Sequence, residues 1–500
     1  MTRRLDFILG TSAVLVAGLL CGLYSGDLPM GVEGEWTWPR VRGRQSITSL
    51  LIAAVGVAAY VAYATLGYWR FGRSTPGRRG EVGWVAGLAC AGVAVQVFIQ
   101  AGAPDGYGLT KWGTVHCYPD CTGYYEVAAI EARANPRAFL ADYSRWIKTQ
   151  GVTHPGTHPP GLVAGFSGLL ALVDAFPTVA KALNAAMPPS TIKGFDDLAA
   201  RGGMAVPPAD RAAIYLTSLI TLLACAGTIV PLYLLARESA TPRAAWASAM
   251  FWPLAPALIL FQPLPDTMFP FLSATALALT AWSSRRLADP IARGRRGWVL
   301  ATASGAALGI GMMFTLAFLP VGLIAALVAL STRPATWSLR LRMIVAIGVG
   351  FLGLAGMFWL ATGAEPMTIW WWNLQHNSQF YHGAGRSYST WVMVNLIETA
   401  VAAGLPAVVW GALALLAAPR GVPRAFWCAL IVMALVNLSG RTMGEVARLW
   451  MLFLPPLFTA VGVGVTRMKA GTQAILVTLA LVGLQTVGLQ AMIQLVYPLF

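Results

Sequence analysis

About thirteen stretches of this sequence run apolar for roughly 14–26 residues each, one after another along the chain. They fall near 6–25, 47–68, 83–102, 212–236, 242–262, 267–284, 298–315, 317–331, 343–362, 393–417, 425–438, 450–466 and 472–497. A bilayer core takes about 20 apolar residues to cross as a helix. Backbone groups in lipid must be satisfied within the element, and these runs are too long and continuous for barrel strands. The expected fold is an all-α polytopic membrane protein with about 13 transmembrane helices, a single domain over residues 1–500. Charged residues make up 11% of the chain, against about 25% in a soluble domain, and the deficit is spread throughout. The many Gly and Ala residues suit close helix packing. The opening Met1, Thr2, Arg3 and Arg4, followed by the apolar run to Leu23, is similar to a signal peptide. The stretch from Cys21 to Asp27 lacks a small-x-small cleavage site, so an uncleaved first helix is expected.

The formal charge of +15 raises the question of a nucleic-acid partner, and its distribution answers it. With the N-terminus inside, the inner side carries roughly 20 Lys and Arg against 4 acids, and the outer side about 15 against 16. The inner clusters are short and Arg-rich: Arg70 to Arg79, Arg285 to Arg296, Arg333 to Arg342. That is the positive-inside bias, and it accounts for the charge without nucleic acid. The C-terminus then falls outside. The first outer loop, with Arg40, Arg42 and Arg44, runs against the trend.

The remaining polar residues collect on one side. All five histidines (His116, His154, His158, His376 and His382) and most acids fall in outer segments. The largest spans about 103–211, the next about 363–392, and a short third runs from Ser439 to Trp450. Within the first, Asp120, Tyr124 and Ala128 are spaced to share one helix face, and Asn135-Pro136 ends that helix. His154 and His158 then precede Pro159, Pro160 and Gly161, which open the apolar run Leu162 to Val173. That run is short for a crossing, so an interfacial helix is expected over 162–176, its prolines well placed at the start. Cys117 and Cys121 are a candidate disulfide pair. Zinc is disfavoured, because His116 makes only a third ligand in poor order. The run Trp370, Trp371 and Trp372 reads as an interfacial aromatic anchor.

Four of these features, in order, resemble the C-type glycosyltransferase superfamily, in its protein O-mannosyltransferase and aminoarabinose-transferase branch. They are Asp120 ahead of Tyr124 and Tyr125; His158 before Pro159-Pro160; Asp266 after Pro265; and Arg448 before the Pro455-Pro456 helix. The resemblance implies an enzyme of the bacterial plasma membrane, its active face outside, with the large 103–211 loop carrying interfacial helices. It would take a sugar from a polyprenyl phosphate and pass it to a glycan, lipid or protein acceptor. It assigns Asp120 and Asp266 as catalytic carboxylates, and His158, Arg448 and Arg386 as donor-phosphate ligands. Tyr124, Tyr125, His154, His376 and Glu445 would contact substrate. Some relatives use a divalent metal and others none. The family places its acidic loop after the first helix, so residues 1–82 look like an added helix pair, with Asp27, Glu33 and Glu35 as rival acids. A transporter or flippase, the competing class, would show charges within spans or paired broken helices; Glu398 is the one deep acid.

Overall fold

The computed structural model describes residues 2–41, 45–74, 76–118, 121–292, 294–383 and 385–496, without the side chains of Thr2 and His382. Asp120, Arg42 and Arg44 lie outside the described residues. Among the described residues the only sheet is a hairpin of Gly31–Val32 and Trp36–Thr37; everything else regular is helical. The chain is an all-helical membrane protein. Seven helices are long and apolar enough to cross a bilayer: Arg3–Ser25, Ile47–Arg73, Arg78–Ala101, Pro208–Arg237, Arg295–Phe314, Trp337–Thr362 and Thr472–Met492. Two bent pairs raise that number to nine.

The other expected crossings take different forms. Phe318–Leu330, Arg424–Leu438 and Met451–Arg467 are short apolar helices, and Phe269–Ala288 is a 20-residue helix. The run at 242–262 is not one helix. It breaks into Pro242–Ala249, a tight turn Trp252–Leu254 and Pro256–Leu260, because Pro253 and Pro256 bring no N–H to a helical ladder. Irregular backbone at membrane depth survives only where protein satisfies it. Here the Tyr60 hydroxyl donates to Met250 O at 2.7 Å, Thr486 to Leu254 O at 2.6 Å, and Gln100 Nε2 to Ile259 O at 2.6 Å. Trp246, Trp252 and Leu258, on this segment, are fully buried and form the centre of the core.

The run at 393–417 also differs from expectation. It is two helices, Tyr388–Ala403 and Leu405–Ala417, bent by 108° at Gly404, whose φ of +96° favours glycine. Gln485 bridges the break: its Oε1 accepts from Leu405 N at 2.8 Å and its Nε2 donates to Val401 O at 3.0 Å. Elsewhere glycine permits contact. A Cβ on Gly305 would lie 1.8 Å from Ile347 O, and one on Gly350 would lie 1.9 Å from Thr302 O. The helices Arg295–Phe314 and Trp337–Thr362 therefore touch backbone to backbone.

The 103–211 segment folds as a helical cap. Pro136–Trp146 is capped by Asn135, which accepts from Ala138 N at 3.0 Å. Gly161–Ala175 turns by 102° into Pro177–Ala185, in keeping with a helix that dips in and turns back. Arg133 ties the cap down, pairing with Asp210 at 2.8 Å and Asp174 at 3.0 Å. The hairpin loop docks nearby: Glu35 accepts from Ser387 N at 2.9 Å and Trp391 Nε1 at 2.6 Å. Gln494 N donates to Pro39 O at 3.2 Å, joining the C-terminal segment to the same edge.

Candidate active site

Where the cap, the 366–383 helix and the 443–449 turn converge, a cavity of about 510 Å³ opens. Its wall includes Cys121, His154, Thr157, His158, Tyr381 and Arg448. Leu264, Leu495 and Val496 form the apolar side. Two of the four sequence features, His158 and Arg448, thus border one space, and Leu264, two residues before Asp266, and Cys121, which follows Asp120 directly, border it as well.

Arg448 is the electrostatic centre. It lies on the short helix Val446–Leu449, with Glu445 just ahead at φ +57°. Glu445 pairs with Arg448 at i,i+3 from the position that caps this helix. Its left-handed backbone swings the carboxylate between two arginines, 3.0 Å from Arg448 Nη2 and 3.3 Å from Arg386 Nη2. Asp266, in the turn Pro265–Met268, stands 3.9 Å from Arg448 Nε. That Nε has no hydrogen-bond partner. Burial works against the charge on Arg448, but Glu445 and Asp266 outweigh it and hold the guanidinium more basic than usual. A fixed cation in the wall of a cavity is suited to an anion. The Tyr381 hydroxyl is pushed up to about 12, chiefly by burial and then by Glu445, so it is a neutral hydrogen-bonding group.

His158 is held by its neighbours. Its Nδ1 lies 3.0 Å from His154 O; a carbonyl only accepts, so Nδ1 carries the proton. Asn373 Nδ2 binds both Gly156 O and His158 O at 3.0 Å, and His376 Nδ1 donates to Gly156 O at 3.0 Å. These contacts fix the His154–Thr157 turn. His158 packs edge-on against Tyr124, centroids 5.9 Å apart. Burial lowers its pKa, Asp266 opposes that and Arg448 adds to it. In the neutral ring, Nε2 is an acceptor.

Several expected site residues do other work. Tyr125 turns away and donates to Asp210 Oδ2 at 2.8 Å, joining the Arg133 cluster. His376 is buried and anchors the turn from behind, against Trp372. Arg386 is enclosed by Trp36, Phe380 and Trp391 and hydrogen-bonds Met443 O, so it positions Glu445. Tyr124 is buried beside His158 without bordering the cavity. Glu35 clamps the hairpin. No disulfide joins Cys117 and Cys121; Cys117 is buried and donates to Gly113 O at 3.5 Å. Among the described residues no three His, Cys, Asp or Glu come together to hold a metal ion. The two carboxylates at Arg448 are committed to arginines, so this donor set does not fit a divalent cation. Sequence reasoning missed Asn377 and Tyr381, one helical turn apart on Pro366–Gly383 and both in the wall. It also missed Lys111, fully buried behind the cavity, with Nζ 3.1 Å from Gln494 Oε1.

No model of a known protein family matches the chain, and no curated protein matches it. Solved structures that the chain is similar to include two oligosaccharyltransferases. One is the archaeal oligosaccharyltransferase AglB from Archaeoglobus fulgidus, in complex with an inhibitory peptide and a dolichol-phosphate; identity is 12%, with 75% of this chain and 50% of that one covered and a TM-score of 0.41. The other is the Archaeoglobus fulgidus oligosaccharyltransferase in complex with Zn and sulfate, at 12% identity, 79% and 53% coverage and a TM-score of 0.39. The chain spans about half the length of these proteins. Likeness at this level assigns no activity, and the chemistry below rests on the cavity.

Proposed function

We propose that this membrane protein is a glycosyltransferase that moves a sugar from a polyprenyl-phosphate donor to an acceptor hydroxyl at the outer membrane face. The observation that carries this reading is Arg448. It is a partly buried guanidinium, balanced by Glu445 and Asp266, that borders a cavity shared with the His154–His158 turn. In the reaction, the acceptor oxygen attacks the anomeric carbon as the bond from that carbon to the phosphate oxygen breaks. Negative charge grows on the departing lipid phosphate, where Arg448 supports it. The acceptor proton passes to a carboxylate. Asp120 is the proposed base. Asp266, 3.9 Å from Arg448 Nε, is the other candidate.

The purified protein in nanodiscs, given labelled polyprenyl-phosphate sugars and a hydroxyl acceptor, should form product. Arg448→Gln should raise the donor KM and lower turnover by about 10²-fold, the loss typical of one charge-stabilising donor. Unchanged KM and turnover in that variant would remove Arg448 from the donor site.

One observation favours a second reading, transport of a lipid-linked sugar. Glu398 is fully buried on the bent pair. Its Oε1 accepts from Trp38 Nε1 at 3.1 Å, while Oε2 has no hydrogen-bond partner. Buried acids on broken spans mark substrate paths. Proteoliposomes separate the two: a transporter moves labelled lipid between leaflets without acceptor, whereas a transferase consumes it only with acceptor present.

A further inference from the structure

The opposite end of the bundle holds a second polar concavity. The helix Arg424–Leu438 runs from this end toward the 443–449 turn, and its 15 residues span about 22 Å at 1.5 Å per residue. The cavity has a volume of about 810 Å³ and is lined by Arg333, Arg340, Arg420, Arg424 and Arg467 with a single carboxylate, Glu238. Glu238 is spent on Arg424, 3.8 Å away. Arg333, Arg340, Arg420 and Arg467 make no ion pair with any described residue. The Nε of Arg340 is buried without a hydrogen-bond partner.

Inner loops of membrane proteins collect arginine for reasons of insertion, and that alone would leave the side chains splayed in water. Here they come from separate places: the 331–336 loop, the start of the Trp337–Thr362 helix, the 418–423 loop and the last turn of Leu454–Arg467. They converge on one space, where like charges repel unless an anion joins them. Guanidinium forks match phosphate oxygens in pairs. The anion's other half is indicated by the apolar surface at the same level. Trp337 is 66% exposed and Leu416 83% exposed, each within four residues of a lining arginine. Leu330, Val422 and Pro423 line the cavity itself.

We propose that this cavity binds the phosphodiester headgroup of an anionic phospholipid, its acyl chains lying along the apolar helices beside it. The site is independent of the transfer cavity and of the reading given to it. The detergent-solubilised protein is mixed with phosphatidylglycerol or phosphatidylcholine, and bound lipid is counted by native mass spectrometry. Phosphatidylglycerol should bind at least about tenfold more tightly, the difference expected when one charge-assisted hydrogen bond is at stake. Soluble glycerol phosphate at equal concentration should not displace it. Arg420→Gln with Arg467→Gln should weaken binding about tenfold, while the Lys pair at the same positions, which keeps the charge, should lose less. Equal binding of the two lipids by the unaltered protein overturns the proposal whatever the variants do. Displacement by glycerol phosphate overturns the lipid assignment in favour of a soluble phosphate, and undiminished binding by the Gln pair overturns the site.

Discussion

His158 has its Nδ1 proton committed to the His154 carbonyl, and burial lowers its pKa. A neutral ring therefore offers a phosphate only a lone pair. If His158 contacts the donor phosphate, it must gain a proton as the donor binds. Donor affinity should then rise as pH falls toward the lowered pKa and level off below it, because the bound state holds the extra proton. Donor KM measured between about pH 5 and pH 8 should fall toward acid, and His158→Asn should flatten that slope. A flat profile in the unaltered protein would leave His158 as an acceptor for a sugar hydroxyl. Lys111 gives the opposite sign. Desolvation lowers its pKa from 10.5 to about 7, so the unfolded chain holds more protons between those values. Stability should climb from about pH 7 toward pH 10, and Lys111→Met should abolish the climb in thermal unfolding. At Asp120, Asp120→Asn should keep the fold and cost about 10²–10⁴ in rate, since the amide keeps the size of the side chain but takes no proton. Near-normal transfer would shift the role to Asp266.

At the level of elements, the places where the sequence was legible have a common cause. Helix positions follow from apolar composition, which is local, and every expected run has a helical counterpart. The proposed site residues His158 and Asp266 stood out because each adjoins a proline, and Arg448 because it precedes the helix that Pro455 and Pro456 open. The break at 242–262 was also marked, by Pro253 and Pro256. Its acceptability was not, because the groups that satisfy it, Tyr60, Gln100 and Thr486, lie elsewhere in the chain. The partner of Tyr125 was hidden for the same reason: Asp210 is 85 residues away. The bend at Gly404 likewise depends on Gln485, 80 residues from Leu405. Gln485→Leu should expose one N–H and one C=O with nothing to bind, at about 1–3 kcal/mol each. The measurable result is a lower unfolding temperature in detergent. If stability is unchanged, water or a shifted backbone satisfies the break.

For the whole molecule, orientation is the open quantity, and it can be read by labelling. Ile291 is 97% exposed in an Arg-rich loop, and Met204 is 39% exposed in the helical cap. A cysteine at 204 should react with an impermeant reagent in intact cells, and one at 291 only after permeabilisation. The reverse pattern would place the Arg448 cavity inside and end the outer-face reading. Cys117 would be a poor reporter, being buried. One contact also has a consequence in time. Lys111 and Gln494 are 383 residues apart, and ribosomes add about 5–20 residues per second, so the lysine is synthesised roughly 20–80 s before its partner. Through that interval it is a charged side chain that the finished fold keeps from water. The wall formed by Leu495 and Val496 arrives with the same delay. The cavity is therefore completed only when the last of its wall is made, and no fragment lacking the far segment should bind donor.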